Sequence, residues 1–175
     1  DLWQIHNVQT PTDVDFILSP EGAVRALEKA REERIVRFTG ITGHRDPTVL
    51  RRSIESHPFD AVLMAINPAD RHSASFIENL LPDALRLGMG IMAMKVPSRG
   101  RIFRPTGVRT MEQAMRYALS HQVSALVIGI SEIAQLEENV RIAREFTPMT
   151  RDEMRELEAM TAPYAADALW YRDHM

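Results

Sequence analysis

The chain has 175 residues, is 45% hydrophobic and carries a formal net charge of -3 with a pI near 6.1. That length can bury one core, and the absence of a basic excess argues against a general nucleic-acid or anionic-membrane binder. Cysteine is absent, which excludes disulfides, thiolate metal sites and iron–sulfur ligation and makes a reducing, cytoplasmic setting the expectation.

No apolar run approaches the roughly 20 residues of a membrane span, and nothing near the N-terminus has the layout of a signal peptide. One domain, 1–175, is expected. Apolar residues begin almost at once with Leu2, Trp3 and Ile5, as if the chain were cut into a strand. Residues 2–8 alternate as a strand that delivers His6 and Asn7 before Pro11 stops it. Residues 12–20 read as a loop. Over 22–34, Ala23, Ala26, Leu27 and Ala30 recur at helical spacing with charges between them. A second strand, 35–41, ends in Thr42, Gly43 and His44. Pro47 suits a first helical turn, and Val49, Leu50 and Ile54 carry that helix to His57.

A third strand, 60–66, closes at Asn67 and Pro68. A single helix is expected over 76–87, stopped by Gly88 and Gly90 where a left-handed cap is wanted. Strand four, 90–96, leads into the turn-rich stretch Pro97, Ser98, Arg99, Gly100, Arg101. Thr110 caps a helix over 111–121. The run VSALVIGI, 123–130, reads as a fully buried strand that passes through Ser131 and Glu132 into a helix bearing Gln135, Glu138 and Asn139. Thr150 and Glu153 form a capping box for a last helix, 151–161. An aromatic tail, 164–175, follows with no further strand and is expected to pack across the outside or the mouth of the sheet.

Strands and helices thus alternate, restarting about every 25 to 33 residues, the length of a βα unit. The expected fold is α/β with a parallel sheet. In such a sheet ligands meet the side chains just past the C-terminal strand ends. Here those are His6 and Asn7, Thr42 and His44, Asn67 and Asp70, Lys95 and Ser98, and Ser131. Polar residues also end strands merely because loops are wet, but their recurrence at one edge favours a site. His6 reads either as a satisfied core histidine or as a functional one. The only lysines are Lys29 and Lys95, and beside Lys95 cluster Arg99, Arg101, Arg104 and Arg109. That cluster is either a solvated surface or an electrostatic lid over a phosphate.

Several ordered segments, LWQIHN, GITGHRDP, FDAVLMAINPADRH, GIMAMKVPSRG and above all VIGISEIAQLEENV, resemble the C-terminal part of an aldo/keto reductase. The resemblance implies part of a TIM barrel, about five strands and helices plus a C-terminal helix and tail, from an NADPH-dependent oxidoreductase that reduces a small-molecule carbonyl to an alcohol. By motif it implies that His6 orients the carbonyl, that Thr42 bonds the nicotinamide carboxamide and that Asn67 ends the sixth barrel strand. Met94 then falls where an aromatic often stacks on the nicotinamide. Lys95, Ser98, Arg99 and Gly100 belong to a pyrophosphate loop, and Ser131, Gln135, Glu138 and Asn139 to an adenosine site. Ile130 stands where many members place a basic residue against the 2′-phosphate, which leaves NAD open beside NADP.

The family's catalytic tyrosine, lysine and aspartate have no counterpart segment in this sequence, and Tyr117, Tyr164 and Tyr171 fall on a helix or in the tail. The expectation is therefore a fragment of a longer reductase, or a half-barrel without activity of its own, with self-association through an open barrel edge. Two other classes stay open. One is a non-catalytic nucleotide-binding or interaction module. The other is a metal-dependent barrel hydrolase using His6, His44 and His72 with Asp46 or Asp70.

Overall fold

The computed structural model of the chain describes residues 1–174; Met175, the end of the expected tail, lies outside them. Five strands, β1 (Leu2–Ile5), β2 (Phe38–Thr42), β3 (Ala61–Ala65), β4 (Gly90–Met94) and β5 (Ala125–Leu126), form one sheet in chain order. The pairs β1 with β2, β2 with β3, and β4 with β5 are all parallel. Helices fill the connections, as parallel pairing requires, and the α/β class expected from the alternation is what forms. By its contacts the chain divides into two compact units, residues 1–64 with 74–91 and residues 65–73 with 92–175.

In the first unit, α1 (Pro11–Leu18), α2 (Ala23–Glu32) and α3 (Pro47–Ser56) bury Val14, Ile17, Leu27, Leu50 and Ile54. Each such aliphatic side chain contributes about 1.5 to 3 kcal/mol of burial. The stretch 12–20 is therefore a helix and not a loop. Thr10 accepts from Asp13 N at 3.1 Å while the Asp13 carboxylate accepts from Thr10 N at 2.9 Å, and Pro11 sits at the tolerated first position. Strand β2 starts at Phe38, later than expected, because Ile35 N still donates to Ala30 O at 2.9 Å, closing α2. Asp60 then latches the strand starts: its carboxylate accepts from Thr39 N at 2.8 Å and its carbonyl from Gly90 N at 2.8 Å. A Cβ on Gly40 would come within 2.8 Å of Ala61 O, so the close approach of β2 and β3 requires glycine there.

The helix expected over 76–87 is two, α4 (Phe76–Asn79) and α5 (Leu81–Arg86), broken at Leu80. Pro82 cannot continue the donor ladder and disfavours helical backbone just before it. Gly88, at φ 68°, ends α5 in the left-handed conformation foreseen for it.

The second unit holds α6 (Met111–Leu119), α7 (Ile133–Arg144) and α8 (Arg151–Thr161), with 3-10 turns at Asp70–His72 and Ser98–Gly100. The capping box expected of Thr150 and Glu153 forms, and the cap at Thr110 is itself a box, closed by Gln113. The longest strand expected from the sequence, 123–130, forms the shortest strand of the sheet. β5 lies at the end of the strand order and has β4 as its neighbour; after Val127 N donates to Ala93 O at 2.8 Å, the run leaves the sheet. The tail is helical, with a 3-10 turn (Ala162–Tyr164), α9 (Ala165–Ala168) and α10 (Tyr171–His174). It buries Leu169 and Tyr171 within this unit.

Candidate functional site: a nucleotide-sized cavity beside α7

The loop after β4 is the most strained backbone of the second unit. Lys95, Ser98 and Arg99 take φ of 57°, 51° and 55°, and Gly100 takes 84°. Left-handed backbone costs a non-glycine residue roughly 1 to 2 kcal/mol, so something must hold it there. The tail does. Ser98 Oγ donates to Ala168 O, and Asp167 pairs with both Arg101 and Arg104. Arg101 also lies 4.8 Å from the Trp170 ring centroid and Arg104 lies 5.2 Å from that of Tyr164. Tyr164 ties the rest of the loop, donating to Ile102 O at 2.9 Å and accepting from Val108 N at 3.2 Å.

Between this loop and the N-terminal half of α7 lies a cavity of about 830 Å³, within the size range of nucleotide and cofactor pockets. Six residues expected to bind cofactor line it: Arg99, Gly100, Ser131, Gln135, Glu138 and Asn139. Two elements remote in sequence thus converge on one space. Gln135 shapes the turn into α7, its Oε1 accepting from Ser131 N at 2.8 Å. Arg109 and Ile130 line the same cavity.

The other expected site residues do not line this cavity. Asn67 is fully buried and its amide is satisfied by protein: Nδ2 donates to Lys95 O and to Tyr171 Oη, both at 3.2 Å, and Oδ1 accepts from Ala69 N at 3.0 Å. Lys95 lies with its Nζ 5.6 Å from the Tyr171 ring centroid, and burial, reinforced by the charge of Arg99, lowers its pKa. Ser98 is buried with its hydroxyl turned to the tail, and Met94 is half-buried at the end of β4. In the first unit His6 is exposed just past β1. Thr42 is buried at the end of β2, where its hydroxyl accepts from Asn7 N at 2.8 Å. Asn7 holds φ 59°, a left-handed position that asparagine tolerates.

The lid expected of four arginines is thus divided, with Arg101 and Arg104 committed to Asp167. The metal reading fails on its own ligands. His72 Nε2 is within 2.8 Å of Glu158 O, Asp46 caps α3 through Thr48, and Asp70 pairs with Arg172 at 2.6 Å. Among the described residues no group of three or more His, Cys, Asp or Glu could hold a metal ion. The sequence reading missed Tyr164, Asp167, Trp170 and Tyr171 as builders of the site, because nothing in a helical tail signals which loop it will grip.

A parallel, chain-ordered sheet with a ligand-sized cavity past its strand ends defines a βα-barrel type of α/β protein. The particular likeness is to part of the aldo-keto reductase barrel. An aldo-keto reductase from Bacillus halodurans, in its holo form, superposes with TM-score 0.68 and 22% identity over 91% of this chain and 60% of its own. A thermostable aldo-keto reductase solved with the inhibitor epalrestat gives TM-score 0.68, 19% identity, 91% and 59%. One from Klebsiella pneumoniae, solved with NADPH, gives 0.67, 14%, 93% and 58%. The chain therefore spans less than two thirds of these structures. No family model and no curated protein matches the sequence.

Proposed function

We propose that the chain is the cofactor-binding part of an aldo/keto reductase-like oxidoreductase that reduces a small-molecule carbonyl to an alcohol with NADPH in the complete protein. The observation that carries this reading is the convergence of Arg99 and Gly100 with Ser131, Gln135, Glu138 and Asn139 on one cavity. The donor set fits a nucleotide: guanidinium groups for phosphate, and a carboxylate and amides for the base and ribose. The Klebsiella pneumoniae relative was solved with NADPH.

In this reading Glu138 and Asn139 hold the adenosine end and Arg99 with Gly100 meets the phosphates. Asn67 keeps the ends of β3 and β4 together through Lys95 O. Thr42 and the exposed His6 stand at the ends of β2 and β1 to position the carboxamide and the carbonyl. The bound cofactor supplies hydride. The proton is not drawn from this chain's tyrosines. Tyr117 donates to Glu158 Oε1 at 2.8 Å, and burial first, then that carboxylate, raises its pKa. Burial pushes Tyr171 up to about 12, and Tyr164 is tied to the loop. That engagement is the specific observation favouring a second reading, a nucleotide-binding module without catalysis. Among the described residues no helix is long and apolar enough to cross a membrane, and we place the protein in the cytoplasm on its lack of cysteine.

Calorimetric titration of the chain with NADPH tests the reading. Asn139→Ala is expected to remove a hydrogen bond of about 0.5 to 1.5 kcal/mol and weaken binding a few-fold to tenfold. Binding left unchanged by the substitution would refute the placement. In the complete protein His6→Ala is expected to lower kcat far more than it weakens cofactor binding.

A further inference from the structure

The loop after β4 supplies one wall of the cavity through Pro97, Arg99, Gly100 and Phe103. Within it Ser98 and Arg99 hold φ of 51° and 55°, which their own side chains oppose. The bonds inside the loop are short 3-10 links, Gly100 N to Pro97 O at 2.7 Å and Arg101 N to Ser98 O at 3.1 Å. Such links close single turns, and contacts from outside decide where those turns sit.

Asp167 reaches that loop from α9 without lining the cavity. Its Oδ1 accepts from Arg101 Nη1 and its Oδ2 from Arg104 Nη2, so one carboxylate spans the far side of the loop. With side-chain exposures of 40% for Asp167, 41% for Arg101 and 37% for Arg104, either pair alone would contribute little. They act with neighbours. Ser98 Oγ donates to Ala168 O, the Arg101 guanidinium lies over Trp170, and Trp170 is backed by the stacked His174 ring at 4.6 Å. Tyr164 grips the loop's other arm through Ile102 O and Val108 N.

Two arguments give opposite signs for what this carboxylate does to an anionic ligand. By charge it opposes one, since it neutralises two arginines of the loop that walls the cavity. By conformation it favours one, because apparent affinity scales with the fraction of molecules whose loop already stands in place. The charge effect acts from partly exposed groups and is screened, whereas the conformational effect reaches every ligand that touches Arg99 or Gly100. We propose that Asp167 is a positioning residue for this cavity: it strengthens binding of an anionic dinucleotide by locking the loop 98–104 against the tail, although it does not line the site. The inference rests on the cofactor-site reading above.

The test is titration of the 175-residue chain with NADPH. Asp167→Asn removes one negative charge and is expected to weaken binding about five- to twentyfold, where charge alone would tighten it. Asp167→Glu, which restores the carboxylate, should return the affinity to within about threefold of native. Asp173→Asn, the same charge change at an exposed position of α10, should leave it within about twofold. Without ligand, trypsin should cut after Arg99 and Arg101 faster in Asp167→Asn than in the native chain, and NADPH should slow the cutting in both. Tyr164→Phe removes the hydroxyl bonded to Ile102 O and Val108 N with no change of charge. It should weaken NADPH about three- to tenfold, and it keeps the test available if Asp167→Asn does not fold. NADPH binding to Asp167→Asn as tightly as to the native chain, or more tightly, would overturn the inference while leaving the cofactor site standing, as would an unchanged affinity in Tyr164→Phe. Weakening that Asp167→Glu does not rescue, or that comes without faster cutting, would reassign Asp167 to general stability and overturn it as well. Failure of the native chain to bind NADPH would overturn the site and the inference together.

Discussion

Arg172→Met probes the contact that seats the tail. Arg172 Nη2 lies 2.6 Å from Asp70 Oδ1, with side-chain exposures of 7% and 0%, and the guanidinium also donates to Ser73 O. Removing one partner of a buried pair costs about 3 to 5 kcal/mol, because the remaining carboxylate keeps its desolvation penalty without its counter-charge. The variant has one escape, which is to peel α10 away and let water reach Asp70. Peeling exposes Leu169 and Tyr171, at a cost of about 1.5 to 3 kcal/mol each. The two routes are comparable, so the expected loss is about 3 to 4 kcal/mol, with hydrogen exchange over residues 162–174 accelerating before global unfolding. Urea denaturation and exchange mass spectrometry read both quantities. Asp70→Asn with Arg172→Met should recover about half of the loss, since no charge is then buried. A single-variant loss below about 1 kcal/mol, with exchange in the tail unchanged, would show that the pair does not hold the tail.

Acid sensitivity is expected from His121, which packs 5.0 Å from the Tyr117 ring and whose pKa burial, helped by the charge of Arg71, lowers from 6.5 to about 4. The unfolded chain takes up a proton there that the folded chain refuses. Stability is therefore full above pH 6.5 and falls by roughly 3 kcal/mol as pH drops toward 4. His121→Gln should flatten much of that slope in pH-dependent denaturation, the remainder belonging in part to His57, also lowered by burial; a slope left unaltered would exclude His121. Self-association is expected because each unit exposes apolar side chains, Trp3 at 48% and Phe38 at 46% in the first and Ile133 at 76% and Leu136 at 47% in the second. Sedimentation velocity should show mass rising with concentration, and a monodisperse monomer would refute it.

Local rules written in adjacent residues were legible without coordinates. The cap at Thr110, the capping box at Thr150 and the left-handed Gly88 stand where spacing put them, as do the five strand starts to within a few residues. So does the parallel order, since βα alternation leaves few other ways to bury the strands. Thr10, Pro11 and Asp13 start a helix where a loop is expected, and Pro82 breaks the single helix expected over 76–87.

The candidate site divides the same way. That Gln135, Glu138 and Asn139 share one region follows from helical spacing, because residues three and four apart lie on one face, and Ser131 joins them by donating from its N to Gln135 Oε1. Which arginines meet them does not follow from spacing. Arg99, Arg101, Arg104 and Arg109 are equivalent in the sequence. Only the arrival of Asp167 from a tail more than sixty residues away neutralises two and leaves two at the cavity. Likewise VSALVIGI has every local mark of a long buried strand, yet only Ala125 and Leu126 are in the sheet. A strand extends as far as it has a partner to hydrogen-bond and no further, and partnership between distant segments is a property of the folded chain.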